Sequence, residues 1–297
     1  MASLQDLKRR VRSITNTRKV TRAMELVASA RLRRAQLRIE AMRPYADRML
    51  ELMAGVSRAA GAVRLPLLER REDIRTIAIV AVTADRGLAG GFNAQVIRRA
   101  LALQREARAA GQEVVWFSTG RKAASTLRFR RLDVRESWIG FSERPGYSDA
   151  QAVAHAVSDA YVRREVDKVL VVYNAFVSAL TQKVTVRELL PISPELLEPA
   201  EGEEGPVELA TPDFIYEPEP EEILARLLPV YVETELYRAL LESAASEQGA
   251  RMTAMRNASK AAGELIDSLT LALNRARQAE ITQEILEVVA GADALAG

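Results

Sequence analysis

The chain has no cysteine and only one histidine, His155. That excludes disulfides, thiolate catalysis and cysteine-held metals. No serine sits in a nucleophile-elbow context, so His155 has no triad to join and reads as a packing or surface residue. Lysine is scarce as well. Six of the forty-two basic residues are lysine, and the rest are arginine. The formal net charge is only +2, which gives no nucleic-acid footprint. No apolar run reaches bilayer-spanning length. Met1-Ala2-Ser3 leads straight into a charged helical pattern with no apolar signal core. The sequence therefore reads as soluble or peripheral. Its 297 residues leave room for one α/β domain plus an extended element.

What is present is a heptad at each end. In the last quarter Leu241, Ala245, Gln248, Met252, Met255, Ser259, Ala262, Ile266, Leu269, Leu273 and Ala276 fall in 4-3 alternation. Such a pattern marks a helix that packs along one narrow stripe. At ~1.5 Å per residue this helix, over 218–297, would be on the order of 100 Å long and would need a partner. The partner is the N-terminal helix, over 1–62. There Leu32, Ala35, Ile39, Met42, Ala46, Met49, Met53 and Val56 alternate in the same way, and Leu4, Leu7, Val11 and Ile14 form a shorter run. Val20, Met24 and Ala28, spaced by fours, read as a stutter joining the two runs. Ser3 is an expected N-cap. Pro44 and Pro229 fall inside the periodic runs and predict kinks rather than ends, with the first helix stopping near Gly61 and Pro66. With the helix bases level near Gly61 and Pro218, antiparallel residues face each other when their numbers sum to roughly 277. Met24 then faces Met252 to Met255, and Arg277 to Gly297 stand alone.

Between the helices, over 70–215, β-branched runs alternate with helical stretches. Strands are predicted at 74–82, 113–118, 132–138 and 168–176, with a hairpin partner at 182–190. Helices are predicted at 93–110, 121–127 and 147–162. Together these predict a small α/β, Rossmann-like domain with a mostly parallel sheet. Gly87, Gly90 and Gly91 follow a strand and open a helix, which is the context of a phosphate loop. Their spacing is neither GxGxxG nor GxxxxGK[ST], so the glycines read as a tight turn. Glu201, Glu203 and Glu204 lie among prolines and glycines and read as a solvated loop rather than an acid/base pair. No catalytic, cofactor or metal residue emerges. Two rival readings stay open: a coiled-coil scaffold with an α/β head, and a nucleotide-dependent enzyme using the glycine loop.

Several long stretches, in order, resemble the gamma chain of F-type ATP synthases. These are Leu7 to Thr17, Lys19 to Ala28, Thr83 to Asn93, Glu242 to Gln248, Ala250 to Met255 and Ala276 to Ile285. Ala89 departs from the cysteine that many relatives carry. No cysteine-bearing insert of the redox-regulated plastid type is present. The resemblance implies an α/β head domain and an antiparallel coiled-coil shaft acting as a non-catalytic rotor. The rotor would turn inside a ring of alpha and beta subunits, with its base on the epsilon subunit and the membrane c-ring. It would have no cofactor and no direct nucleotide binding, and would lie at the cytoplasmic face of a bacterial membrane. Expected contacts to the beta subunits are Arg22, Met24, Arg251, Arg277, Gln278, Thr282 and Glu284, all on the outer surface of the shaft. The end bearing Ile281, Ile285, Leu286, Val288 and Val289 would turn in an apolar collar.

Overall fold

The computed structural model describes residues 4–61, 65–193 and 216–296. Ser3 and the Glu201, Glu203, Glu204 cluster lie outside these. Helix α1 runs Leu4–Ala60. It is followed by β1 Thr76–Val82, α2 Phe92–Ala109, β2 Glu113–Thr119, α3 Arg121–Phe129, β3 Val134–Trp138, α4 Tyr147–Val162, β4 Lys168–Phe176, β5 Gln182–Leu190 and α5 Pro220–Ala296. The helix continues through Pro44 and Pro229. At Pro44 the carbonyl of Glu40 loses its usual helical donor, and the turns on either side carry the chain through. The chain forms two compact units, 1–28 with 252–297, and 29–251.

In the larger unit the strand order is β3-β2-β1-β4-β5, with β4 and β5 antiparallel and the other neighbours parallel. The central strand β1 is buried from Ile77 to Val82, as its unbroken apolar run dictates. Alternate residues of this strand serve opposite faces. Ala78, Val80 and Val82 meet α4, the inner part of α5 and Met49, Met53 and Val56 of α1. Ile77, Ile79 and Ala81 meet α2 and α3 through Val96, Ala100, Ala107, Ala123 and Leu127. Arg71 closes the lower edge of the sheet. It pairs with Asp167 at 2.8 Å and lies 4.4 Å over the Tyr161 ring. Burial pushes the Tyr161 hydroxyl up to about 12, against the pull of Arg71.

In the smaller unit the seam of α5 is the expected one. Met252, Met255 and Ala262 are buried, while Ser259, Ile266, Leu269, Leu273 and Ala276 are half-buried between exposed neighbours. The seam of α1 corrects the sequence reading. Val20 is 57% exposed, and Thr21, Glu25 and Ala28 are buried instead. There is no stutter. The buried positions 21, 25 and 28 keep the 4-3 alternation, hidden in the sequence because Thr21 and Glu25 are polar; Arg18, one step earlier in that alternation, is exposed.

The register is also shifted from the expected one. Glu25 pairs with Arg256 at 2.9 Å, and a Cβ on Gly263 would lie 3.8 Å from the Arg18 guanidinium. Both pairs have numbers that sum to 281 rather than 277. The ascending and descending order makes the helices antiparallel. The difference is four residues of one helix against the other. One helix is thereby displaced by about one turn. From Arg277 to Ala292 every residue is exposed, so this segment is a single helix within its unit.

Candidate functional site

The turn from β1 to α2 is tied by one side chain. The Ala84 N–H donates to Asn93 Oδ1 at 2.8 Å, and Asn93 Nδ2 donates to the Arg86 carbonyl at 3.3 Å. Of the three glycines singled out here, only Gly90 takes left-handed backbone, at φ +57°. Leu88 takes φ +62° and is 64% exposed. The glycine that close packing demands is Gly120, before α3. A Cβ there would sit 2.0 Å from the Thr83 carbonyl oxygen. Nothing in a lone Gly120 signals this, because the clash comes from a strand 37 residues earlier in the chain.

Asp85 joins the three loops at the carboxyl ends of β1, β2 and β3. Its Oδ1 accepts the Arg121 N–H at 3.0 Å, and its Oδ2 accepts those of Gly140 at 2.9 Å and Ser142 at 3.2 Å. Burial raises this carboxyl. The bonds from Gly140, Ser142 and Arg121 outweigh burial and hold it below the ordinary aspartate range. Arg121 opens α3, so Asp85 occupies the position where a helix N-terminus would hold a phosphate. Ligands of open α/β sheets bind beyond the carboxyl ends of the strands. A phosphate brought to α3 here would meet a fixed anion.

Arg251 is the main correction to the expected site. It lies buried in the larger unit, not on an outer surface. Its Nη2 donates to Glu247 Oε1 at 2.6 Å and to the Gly87 carbonyl at 3.2 Å, and its Nη1 lies 3.8 Å from Glu143. Glu143 also receives Arg31 of α1 and, at 3.6 Å, Arg86. The sequence placed Arg251 by its helical position alone. The glycine turn and Glu143, more than a hundred residues earlier, close over it. Glu247 is raised mainly by burial, with Arg251 opposing and Glu143 and Asp85 adding. The sole histidine is exposed at its ring and meets buried Glu233 at 2.9 Å; Tyr147 and Gln151 bond the same carboxylate. Glu233 was not legible beforehand, since its burial depends on α4 packing on α5.

The other expected contacts lie in the smaller unit. Arg22 is 65% exposed at its side chain and pairs with Glu25 at 3.1 Å; Met24 is half-buried. Arg277, Gln278, Thr282 and Glu284 are exposed on the single-helix segment, and the Thr282 hydroxyl donates to the Gln278 carbonyl at 2.8 Å. Ile281, Ile285, Leu286, Val288 and Val289 are 46% to 72% exposed. Five large apolar side chains thus stand exposed on one bare helix.

A family profile described as ATP synthase matches residues 3–295. The ATP synthase gamma chain of Rubrobacter xylanophilus is 47% identical, over 100% of this chain and 99% of its own length. The chain belongs to the ATP synthase gamma family. The gamma chain of Paracoccus denitrificans is 44% identical over 99% of this chain and 100% of its own. The central stalk and c-ring structure of the Tetrahymena thermophila mitochondrial ATP synthase holds a chain that is similar at TM-score 0.58 and 27% identity. That match covers 81% of this chain and 99% of the other. A chain of the Euglena gracilis mitochondrial ATP synthase shares the fold at TM-score 0.71 and 17% identity, covering 98% of this chain and 94% of that one. As a gamma chain, the protein is the rotor subunit of an F-type ATP synthase, a membrane-associated complex. Among the described residues no helix is long and apolar enough to cross a membrane.

Proposed function

We propose that this chain is the non-catalytic rotor that couples proton flow to ATP synthesis. It turns within a ring of alpha and beta subunits, and its α/β unit meets the epsilon subunit and the c-ring at the cytoplasmic face of a bacterial membrane. The observation that carries this reading is the bare helix from Arg277 to Ala292, with its exposed Ile281, Ile285, Leu286, Val288 and Val289. A lone helix is marginal in water, and these side chains need cover. A surrounding ring supplies it as an apolar collar. Arg277, Gln278, Thr282 and Glu284 then offer hydrogen bonds to the beta subunits, and Arg22 and Met24 face beta lower on α1. Arg251, being buried, acts through its hold on Gly87 and Glu143 rather than by direct contact.

The test is a Gln278→Ala, Thr282→Ala, Glu284→Ala variant assembled with alpha and beta. These residues are exposed, so melting of the free chain should change by only about 0.5 kcal/mol per substitution. ATP turnover per assembled complex should fall clearly. Parental turnover with a sharply lowered melting temperature would make the three residues structural and overturn the assignment.

A further inference from the structure

Residues 92–131, which carry α2, β2 and α3, hold nine basic residues and two glutamates, a net charge of +7 in a chain whose total is +2. The stretch covers one face of the sheet through α2 and α3. Between these two helices lies an open groove of about 580 Å³. Its floor is apolar, with Ala94, Ile97 and Leu101, and its rim carries Arg98, Arg105 and Arg130. Among the described residues no acidic one lines it. Elsewhere on α2, Arg99 is neutralised by Glu106 at 2.8 Å. The three rim arginines meet no carboxylate among the described residues. Beside the rim the chain reads Arg128-Phe129-Arg130-Arg131, and Phe129 is 89% exposed. A phenylalanine left in water within this run of three arginines is otherwise unexplained.

We infer that this α2–α3 face docks on anionic phospholipid headgroups at a membrane surface. A planar guanidinium pairs with a phosphate through two hydrogen bonds, and arginine rather than lysine holds every rim position. The apolar floor and Phe129 suit the glycerol and upper acyl region, where an aromatic ring sits at the water boundary with cations flanking it. The charge sign matches an acidic leaflet, and the chain belongs to a membrane-associated complex, so such a surface is at hand. Mobile headgroups also suit a turning subunit. They exchange under a moving face, whereas an acidic patch fixed on a stationary protein would act as a brake. The inference does not depend on which residues touch the beta subunits.

The experiment is flotation of the purified full chain with vesicles of phosphatidylcholine alone and of phosphatidylcholine mixed with phosphatidylglycerol, at low and high salt. Binding is expected only to the mixed vesicles, and high salt should weaken it. An Arg98→Gln, Arg105→Gln, Arg130→Gln variant should bind about a hundredfold more weakly, since each basic group near an acidic leaflet contributes about a fivefold factor. Phe129→Ser should weaken binding while leaving its salt dependence intact. The control removes the same charge from α1, as Arg9→Gln, Arg10→Gln, Arg12→Gln, and should bind nearly as the parent does. Circular dichroism melts check that each variant is folded; all substituted side chains on α2 and α3 are exposed, so the melts should coincide. The proposal is overturned if the parent does not bind the mixed vesicles. It is equally overturned if the α1 control loses as much as the groove variant, because net charge alone would then be the cause. Binding of polyglutamate at the groove with no binding of mixed vesicles would make the occupant an acidic protein and would also overturn it.

Discussion

Glu25 of α1 and Arg256 of α5 pair at 2.9 Å across the seam of the smaller unit, while Arg22 holds the other carboxylate oxygen of Glu25 at 3.1 Å. A buried carboxylate in a heptad seam would ordinarily cost stability. Here the bond from Arg256 comes first among the influences on Glu25. Burial opposes it, and Arg22 assists, leaving the carboxyl below its ordinary value. A polar seam residue with one fitting partner fixes register, which aliphatic neighbours alone would leave free to slide.

That register can be tested by cysteine pairs in the otherwise cysteine-free chain. Thr21 with Ser259 should oxidise readily, because both are seam positions and their numbers sum to nearly 281. Thr21 with Met255 is displaced by four residues, about 6 Å along the axis, and should oxidise slowly. A faster Thr21–Met255 pair would contradict the Glu25–Arg256 alignment.

Arg251→Gln should destabilise the chain by about 3–5 kcal/mol, because it leaves Glu247 buried and unpaired. The Glu247→Gln, Arg251→Gln double variant should lose markedly less than the two single changes combined. Denaturant melts of the four proteins read the coupling directly. Additive losses would mean that the pair does not act as a unit.

Gly120→Ala should cost about 2–4 kcal/mol, since its Cβ would overlap the Thr83 carbonyl and its φ is +84°. Gly87→Ala should cost less than about 0.5 kcal/mol; its nearest atom is the flexible end of Lys122, at 3.9 Å. Thermal melts of the two variants separate the glycine that packing requires from the one that only sits in the turn.

The Asp85 and Asp167 carboxyls are both lower in the folded protein than in an ordinary aspartate. Their contribution to stability is present above the unfolded value of about 3.9 and is lost as pH falls through the folded values. Glu247 is raised, so its contribution has the opposite sign: present below the unfolded glutamate value and lost as pH rises through the folded one. Asp85→Asn should therefore melt lower than the parent near neutrality and lose less on acidification. A parental slope in the variant would remove Asp85 from the account.

The periodic segments were legible because burial and sequence share one period. The seam from Met252 to Ala276, the apolar run Ile77 to Val82 of β1 and the hairpin of β4 with β5 all follow directly from residue type. The heptad positions Thr21 and Glu25 were hidden because both are polar: the Thr21 hydroxyl donates to the Arg18 carbonyl of its own helix, and Glu25 takes its partner Arg256 from the far end of the chain. Val20 was misplaced for the same reason: it fits the pattern of fours while facing solvent. Arg251 and Gly120 were missed as packing residues because the groups that close on them, Gly87 and Glu143, and Thr83, are distant in sequence. The exposed tip follows from the unequal helix lengths, but its polar contacts rest on resemblance to the gamma family.

The central claim is that this chain rotates relative to its ring while the chemistry stays on other subunits. The direct measurement fixes the alpha and beta subunits of an assembled complex to a surface, attaches a visible probe to a cysteine introduced at exposed Ser125 on α3, and supplies ATP. The account predicts continuous rotation of the probe in one direction, which stops when ATP is exhausted, with no ATP turnover by the isolated chain. A probe that stays fixed while the complex hydrolyses ATP would contradict it.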